Sequence, residues 1–377
     1  MIKRIIEPIV KSEMFRGKVI IITGPRQVGK TTLAEQIAET SGVKYKWFNA
    51  DEPDVRNWLT DTTSTKLKQL FGDARLAVID EAQRIRNIGI TLKLAADNLK
   101  NTQIIATGSS ALELAGGINE PLTGRKCEFT LYPFSYQELA MDSSVMEEKR
   151  LLEHRMIYGY YPDIVNNKGK EQLLLNDLVN SYLYKDILRL EQIRKPSLVE
   201  KIVLALALQV GSEVSYNEVA RTVGADNQTV ERYIDLLQKV FIIFQLTSFS
   251  RNLRNELKKS RKIYFWDNGV RNSLINNFNP LTLRIDSGAL WENFLITERM
   301  KYLRYKRIPA NCYFWRTIQQ QEIDYLEDSS GIINAYEFKW HEKGRTRLPR
   351  TFRTAYPQSN LKVISTLNFT GFIMPDA

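Results

Sequence analysis

Short apolar runs recur from residue 18 onward, at 18–23, 44–48, 76–80, 103–107 and 125–131, and helical stretches such as 31–40 and 88–100 lie between them. The runs are continuous rather than alternating. A strand that is apolar on both faces belongs in a parallel sheet covered by helices on each side. An α/β sandwich is therefore expected, ending near Pro133-Phe134-Ser135. Residues 145–195 read as helices, broken at Tyr158-Gly159-Tyr160-Tyr161-Pro162. A helical triplet and a strand-like run over 241–249 occupy 196–250. The last hundred residues mix a helix over 288–304 with strands over 312–317, 323–326 and 332–340. No internal repeat or low-complexity linker interrupts the pattern.

The first run, Ile20-Ile21-Ile22, leads into Gly24-Pro25-Arg26-Gln27-Val28-Gly29-Lys30-Thr31, with Thr32 next. This is G-x-x-x-x-G-K-[ST] between a strand and a helix, the context in which it binds nucleotide. The glycines let backbone N–H groups curl round phosphates, aided by the positive end of the following helix. Lys30 is expected to neutralise the phosphates, and the Thr31 hydroxyl to ligate magnesium. Leu76-Ala77-Val78-Ile79-Asp80-Glu81 places two acids at the end of another strand, 50 residues after Lys30. Asp80 can hold magnesium through water, and Glu81 can polarise the attacking water. The next strand ends in Thr107-Gly108-Ser109-Ser110, so Thr107 or Ser109 can sense the γ-phosphate. Arg125 is either an arginine finger or sensor, or a solvent-facing arginine on an edge strand.

Gly-Pro-Arg-Gln-Val-Gly-Lys-Thr-Thr, Val-Ile-Asp-Glu-Ala-Gln, Thr-Gly-Ser-Ser and the Gly-Arg…Leu-Tyr-Pro-Phe-Ser run together resemble the AAA+-type P-loop ATPases of bacteria and archaea that carry a C-terminal domain of unknown function. The resemblance covers nearly the whole chain. It implies a 5-1-4-3-2 strand order and ATP rather than a guanine nucleotide; no residue of the chain itself selects the base.

Farther along, Ser215-Tyr216-Asn217-Glu218 is a capping box opening a helix through Val223, Gly224-Ala225 makes a turn, and 226–238 form a second helix. Val219, Val223, Val230, Ile234 and Leu237 fit a small core, while Asn227, Gln228, Arg232 and Lys239 face outward. This is a helix-turn-helix with 241–249 and the basic segment to Lys262 as its wing. It reads DNA directly or serves as a protein-docking module, since Asp226, Glu231 and Asp235 repel phosphates.

The last stretch holds a second constellation. Glu337-Phe338-Lys339 lies within a strand, so carboxylate and ammonium share a face. Asp324 ends a strand thirteen residues upstream, and Glu292 lies on an earlier helix. A magnesium-dependent phosphodiesterase needs such a set: Asp324 and Glu337 to hold metal, Lys339 to orient or activate water, Glu292 to complete the shell. The order is similar to the restriction-endonuclease-like PD-(D/E)xK pattern, with Ile323 where that pattern has proline. The alternative is a degenerate fold in which Asp324 and Lys339 form a structural ion pair.

Composition limits the chemistry. With two histidines, His154 and His341, and two cysteines, Cys127 and Cys312, no zinc ribbon or finger can be assembled, so metal chemistry runs through oxygen ligands and points to magnesium or manganese. No disulfide framework is expected, Met1-Ile2-Lys3-Arg4 lacks the apolar core of a signal peptide, and a cytoplasmic setting is the expectation. The longest apolar stretch, 202–210, is too short to span a bilayer, so no membrane association is expected. Net charge is +10, but residues 1–140 hold 19 basic and 16 acidic side chains, so the excess lies downstream. It clusters at Arg251, Arg254, Lys258, Lys259, Arg261 and Lys262, and again over 339–353, a footprint for nucleic acid or a solvated surface.

The expected organisation is thus α/β throughout: a P-loop AAA+-type parallel sheet over 1–140, a helical connector over 141–195, a winged helix-turn-helix over 196–262 and a restriction-endonuclease-like domain over 263–377. The expected function is ATP hydrolysis with magnesium, coupled to a DNA-associated and nuclease-active C-terminal domain in a homo-oligomer. A nucleotide-switched scaffold that recruits a protein through an inert nuclease fold is the competing expectation.

Overall fold

The computed structural model describes residues 1–109, 121–190, 196–249, 260–317, 319–341 and 349–375, side chains of 181–190 excepted. Ser110, the basic residues of 251–259 and part of the 339–353 cluster lie outside the described residues. The chain divides into two compact units, the first formed mainly by 1–134 and the second mainly by 135–184, 194–238 and 242–377.

The first unit is built on five parallel strands, β1 (Val19–Thr23), β2 (Tyr45–Asn49), β3 (Leu76–Asp80), β4 (Gln103–Thr107) and β5 (Lys126–Thr130). They lie in the order β2-β3-β4-β1-β5, which is the 5-1-4-3-2 order read from the other edge. Strands β1, β3 and β4 are buried along their whole length, which is why their sequences are Val, Ile, Leu and Ala but for Thr23, Asp80, Gln103 and Thr107 at their ends. On one side of the sheet Val19, Ile21, Phe48, Ala77, Ile79 and Ile104 pack with Leu67, Phe71, Ile88 and Leu92 from the connecting helices. Every strand runs the same way, so the chain segments that follow β1, β3 and β4 meet at one edge, where a ligand site belongs in such a sheet.

The second unit holds a seven-stranded mixed sheet, β6 (Glu213–Val214), β7 (Ile243–Ser248), β8 (Arg261–Phe265), β9 (Asn311–Arg316), β10 (Glu322–Ser329), β11 (Ile332–Lys339) and β12 (Asn360–Ser365), in the order β12-β11-β10-β9-β7-β8-β6. The helix Ser287–Tyr305 packs on it, tied to β8 by Asn293, which exchanges hydrogen bonds with the Phe265 backbone. The helices Tyr216–Val223 and Asn227–Lys239 flank a left-handed Gly224, and Val219, Val223, Val230, Ile234 and Leu237 are buried between them. Ser215 caps the first, accepting the Glu218 N–H at 3.4 Å. Asn227, Gln228, Arg232 and Lys239 are exposed, as are Asp226, Glu231 and Asp235.

The strands expected to form a wing, β7 and β8, pair antiparallel, and β8 also pairs with β6, the short strand before the two helices. The hairpin's outer edge is not free: β7 pairs parallel with β9 at Thr247 and Ser248. The expected boundary between 262 and 263 falls inside β8. Among the described residues no helix is long and apolar enough to cross a membrane.

Candidate functional site

At the end of β1 the chain turns through Gly24, with φ at +146°, and a β-carbon there would sit 2.1 Å from the Leu131 carbonyl oxygen. Glycine is therefore the residue that lets the loop pass so close to the chain beyond β5. Gln27 and Gly29 are also left-handed, at φ 58° and 89°, and the helix Lys30–Glu39 starts directly after Gly29. Pro25, Arg26 and Val28 complete the turn, with Val28 buried, and Thr32 lies exposed in the helix's first turn. Lys30 is buried and folds back on its own loop, donating to the Gly24 and Pro25 carbonyls at 3.1 and 2.6 Å.

Three expected residues come together beneath that loop. The Thr31 hydroxyl lies 3.1 and 3.0 Å from the two Asp80 carboxylate oxygens. The Thr107 hydroxyl, from the end of β4, also bonds Asp80 and accepts the Glu81 N–H at 3.3 Å. Thr107 thus links both acids, whereas Ser109 is buried and makes none of these bonds. An aligned hydroxyl and carboxylate at the head of a helix form a hard-oxygen donor set that fits magnesium. Glu81 adopts left-handed backbone, φ 53°, and accepts from Gln83 Nε2.

Arg125 is elsewhere. It precedes β5, its carbonyl accepting the Val19 N–H at the strands' beginning, and its guanidinium bonds Asp97 at 2.7 Å. The glycine loop follows the other end of β1, so about 16 Å of strand separates the two edges. Arg125 as a finger or sensor for its own chain's loop is therefore corrected.

A residue without a motif supports the loop from behind. Arg4, from the turn before the first helix, donates to the Val28 carbonyl at 3.1 Å and the Tyr132 carbonyl at 2.5 Å, and its guanidinium covers the Phe134 ring at 4.7 Å. Only its burial distinguishes it from an ordinary N-terminal basic residue, and burial is not legible there.

In the second unit the expected carboxylates gather around β10 and β11. The registers of β9 and β10 shift between Ile323 and Leu326, one extra residue on β10 opposite Tyr313–Trp315. Such a bulge re-aims a side chain. Asp324, at the bulge, accepts the Phe338 N–H at 2.7 Å, and Lys339 Nζ lies 3.2 Å from Glu337 Oε2. Burial, then the neighbouring Asp324, pushes the Glu337 carboxyl up to about 7. Burial likewise holds Asp324 above its ordinary range. A buried acid and a half-buried one, whose mutual repulsion a divalent cation would relieve, fit a metal. The alternative ion pair between Asp324 and Lys339 is not the one formed; the lysine bonds Glu337.

Glu292 does not join them as expected. Its Oε1 accepts from Lys262 Nζ at 3.0 Å and from the Tyr264 hydroxyl at 2.6 Å, and Lys262 also bonds Glu322. Burial raises the Glu292 carboxyl to about 7 against the pull of Lys262. Burial alone would lower the Lys262 ammonium, but Glu292 and Glu322 hold it above its ordinary value. Glu292 as a completing metal ligand is therefore corrected: a buried lysine occupies its oxygen. Among the described residues no three His, Cys, Asp or Glu side chains converge on one metal position. Lys262 and Tyr264 were available to sequence reasoning as alternate residues of one strand, but the basic run around them suggested surface.

Residues 16–140 match the family described as AAA domain. Residues 149–281 match a domain of unknown function, DUF8612, and 287–369 another, DUF4143. An uncharacterized protein of Mycobacterium tuberculosis is 27% identical over 349 residues, covering 92% of this chain and 74% of the relative; one of Mycobacterium bovis matches equally. An uncharacterized protein of Haemophilus influenzae is 24% identical over 284 residues, 68% of each chain.

Proposed function

We propose, from an AAA-type ATPase domain followed by two domains of unknown function, that this chain hydrolyses ATP with magnesium and couples turnover to a carboxylate centre acting on nucleic acid. The observation that carries the first part is the Thr31 hydroxyl bonded to both Asp80 oxygens beneath the glycine loop. In this reading the backbone N–H groups of 24–31 and the Lys30 ammonium surround the β- and γ-phosphates, Lys30 exchanging its loop carbonyls for phosphate oxygens. Thr31 and Asp80 hold magnesium, which supplies charge neutralisation to the departing phosphate. Glu81 takes the proton of the attacking water, and Thr107 relays the state of Asp80 to the Glu81 backbone. Arg125 would serve a neighbouring copy in a homo-oligomer.

Asp324, Glu337 and Lys339 form the second centre, Asp324 and Glu337 as ligands for a divalent metal and Lys339 beside them to orient water. The exposed Asn227, Gln228 and Arg232 are the contacts to DNA in this reading. One observation favours a second reading, a nucleotide-switched scaffold that recruits a protein: Lys262 already neutralises Glu292 and Glu322, as in an inert fold.

Purified protein with ATP and magnesium tests the first part. Turnover that vanishes in Lys30→Ala supports it, and undiminished turnover in that variant defeats it. For the second part, DNA and RNA are incubated with Mg²⁺ or Mn²⁺, with and without ATP. Cleavage lost in Glu337→Ala supports the metal centre. ATP turnover without cleavage and without salt-dependent DNA binding selects the scaffold.

A further inference from the structure

A groove of about 780 Å³ lies in the second unit, where the start of the helix Tyr216–Val223 meets β6 and the ends of β8 and β9. Its lining is polar apart from Val214 and the Tyr216 ring. Arg261, at the start of β8, holds its guanidinium 4.4 Å from the centre of that ring, and the Tyr216 hydroxyl donates to Gln245 Oε1 at 3.2 Å. No carboxylate among the described residues pairs with Arg261. Arg316, the last residue of β9, reaches Glu213 and Glu322 at 3.4 and 3.6 Å, while Lys262 bonds the same Glu322 more closely. The Arg316 charge is thus only loosely committed. Arg316 and Glu322 stand opposite each other in β9 and β10, and Asp324 follows two residues along β10. Diagonal neighbours on paired strands lie about 7–8 Å apart. The groove therefore opens beside the carboxylate centre.

Glu213 and Glu218 offset the two guanidiniums of the lining, so a phosphate backbone gains little here from charge alone. A duplex shows a protein mostly that backbone, whereas an unpaired strand also offers base faces and base edges. A guanidinium backed by an aromatic ring is a plane on which a base stacks. Glutamate accepts from base amino groups, and asparagine both donates and accepts. Asn217, Glu218 and Asn227 stand exposed along the groove. The volume falls within the roughly 300–1,000 Å³ of sites that enclose a small ligand. Resting on the reading of Asp324 and Glu337 as a centre acting on nucleic acid, we propose that this groove is the substrate subsite of that centre and takes an unpaired strand. One base stacks on Arg261, base edges meet Asn217, Glu218 and Asn227, and Arg316 receives the phosphate next to the one at Asp324. The substrate class is single-stranded nucleic acid.

The full chain is titrated, without metal, against short fluorescein-labelled strands followed by anisotropy. The probes are a mixed-sequence single strand as DNA and as RNA, its blunt duplex, and an abasic strand with the same phosphates. The single strand, in at least one of the two sugars, is expected to bind about tenfold tighter than the duplex or the abasic strand. Arg261→Lys keeps the charge and loses the plane, so single-strand binding is expected to weaken about tenfold while abasic-strand binding stays within about twofold. Arg316→Gln is expected to lower the salt slope by about one. A duplex or abasic strand bound as tightly as the single strand overturns the proposal. So does the absence of any strand binding, or an Arg261→Lys affinity for the single strand equal to that of wild type. Where Arg261→Lys unfolds, exposed Asn217 decides: Asn217→Asp sets a charge against the base edges, and an unchanged single-strand affinity overturns the proposal. Failure of the centre reads differently. Tight single-strand binding by a wild type that cleaves nothing with Mg²⁺ or Mn²⁺ removes the catalytic reading and keeps the groove as a strand-binding site. Cleavage that continues undiminished in Arg261→Lys removes the groove alone.

Discussion

Lys262 Nζ lies 3.0 Å from Glu292 Oε1 while the lysine side chain is only 2% exposed. The ammonium also bonds Glu322, so one buried cation serves two acids from different elements, the long helix and β10. Removing a single partner from such a pair leaves a charge in a poor solvent. Lys262→Met is expected to destabilise the fold by about 3–5 kcal/mol. Lys262→Met combined with Glu292→Gln should recover part of that loss, because the acid that would be left alone is gone. Urea unfolding of both variants checks this, and equal losses in the two would show that the pair itself is not what stabilises β8 against the helix.

The same acid gives the stability a pH dependence. Burial raises Glu292 in the folded protein to about 7, above the 4.5 of a free carboxyl. The folded state therefore binds this proton more tightly, and the contribution is fully present below pH 4.5 and lost as pH rises through 7. Its size is about 3 kcal/mol if the free chain titrates normally. Glu292→Gln removes the titration, so stability of that variant should fall less between pH 5 and 8 than that of wild type. Chemical denaturation at several pH values measures it.

Gly24→Ala is expected to damage nucleotide binding and folding together. The new β-carbon would meet the Leu131 carbonyl at 2.1 Å, and the residue would have to hold φ +146°. Either the loop or the segment after β5 must shift. Strained backbone of this kind costs about 1–3 kcal/mol, and a displaced loop no longer lines its N–H groups on the phosphates. A fall in thermal midpoint together with an increased Kd for ATP is the expected outcome; unchanged affinity would show that the loop tolerates the shift.

The first site was legible because its residues are adjacent or motif-spaced. Gly24, Lys30 and Thr31 follow one strand, Asp80 ends another, and a parallel sheet necessarily brings those ends to one edge. Arg125 was left open between two readings for the complementary reason: a strand has two ends, and a short pattern does not state which one a residue occupies. Lys262 shows the other limit. It stands in a run of basic residues, and only the assembled sheet puts it under a helix whose Glu292 is thirty positions away. The continuation of the wing into the larger sheet was hidden similarly, since the hairpin of β7 and β8 is locally the same whether its outer edge is free or, through Thr247 and Tyr313, paired with β9.

Arg4 offers the last test, since it holds the glycine loop without touching the place assigned to nucleotide. Its guanidinium bonds the Val28 carbonyl inside the loop and the Tyr132 carbonyl beyond β5, joining the two segments that flank Gly24. Arg4→Met keeps much of the length and the contact with Phe134 but strands both carbonyls, at about 1–3 kcal/mol for each buried group left unpaired. Arg4→Lys supplies charge without the planar fork and is expected to restore only part of the loss. Because Lys30, Thr31 and Glu81 stay intact, the expected kinetic signature is a KM for ATP that rises several-fold while kcat changes by less than about twofold, the mark of lost ground-state binding. ATP titration of both variants beside a thermal melt makes the measurement. A drop in kcat at unchanged KM would mean that Arg4 acts on the chemistry and not on the shape of the loop.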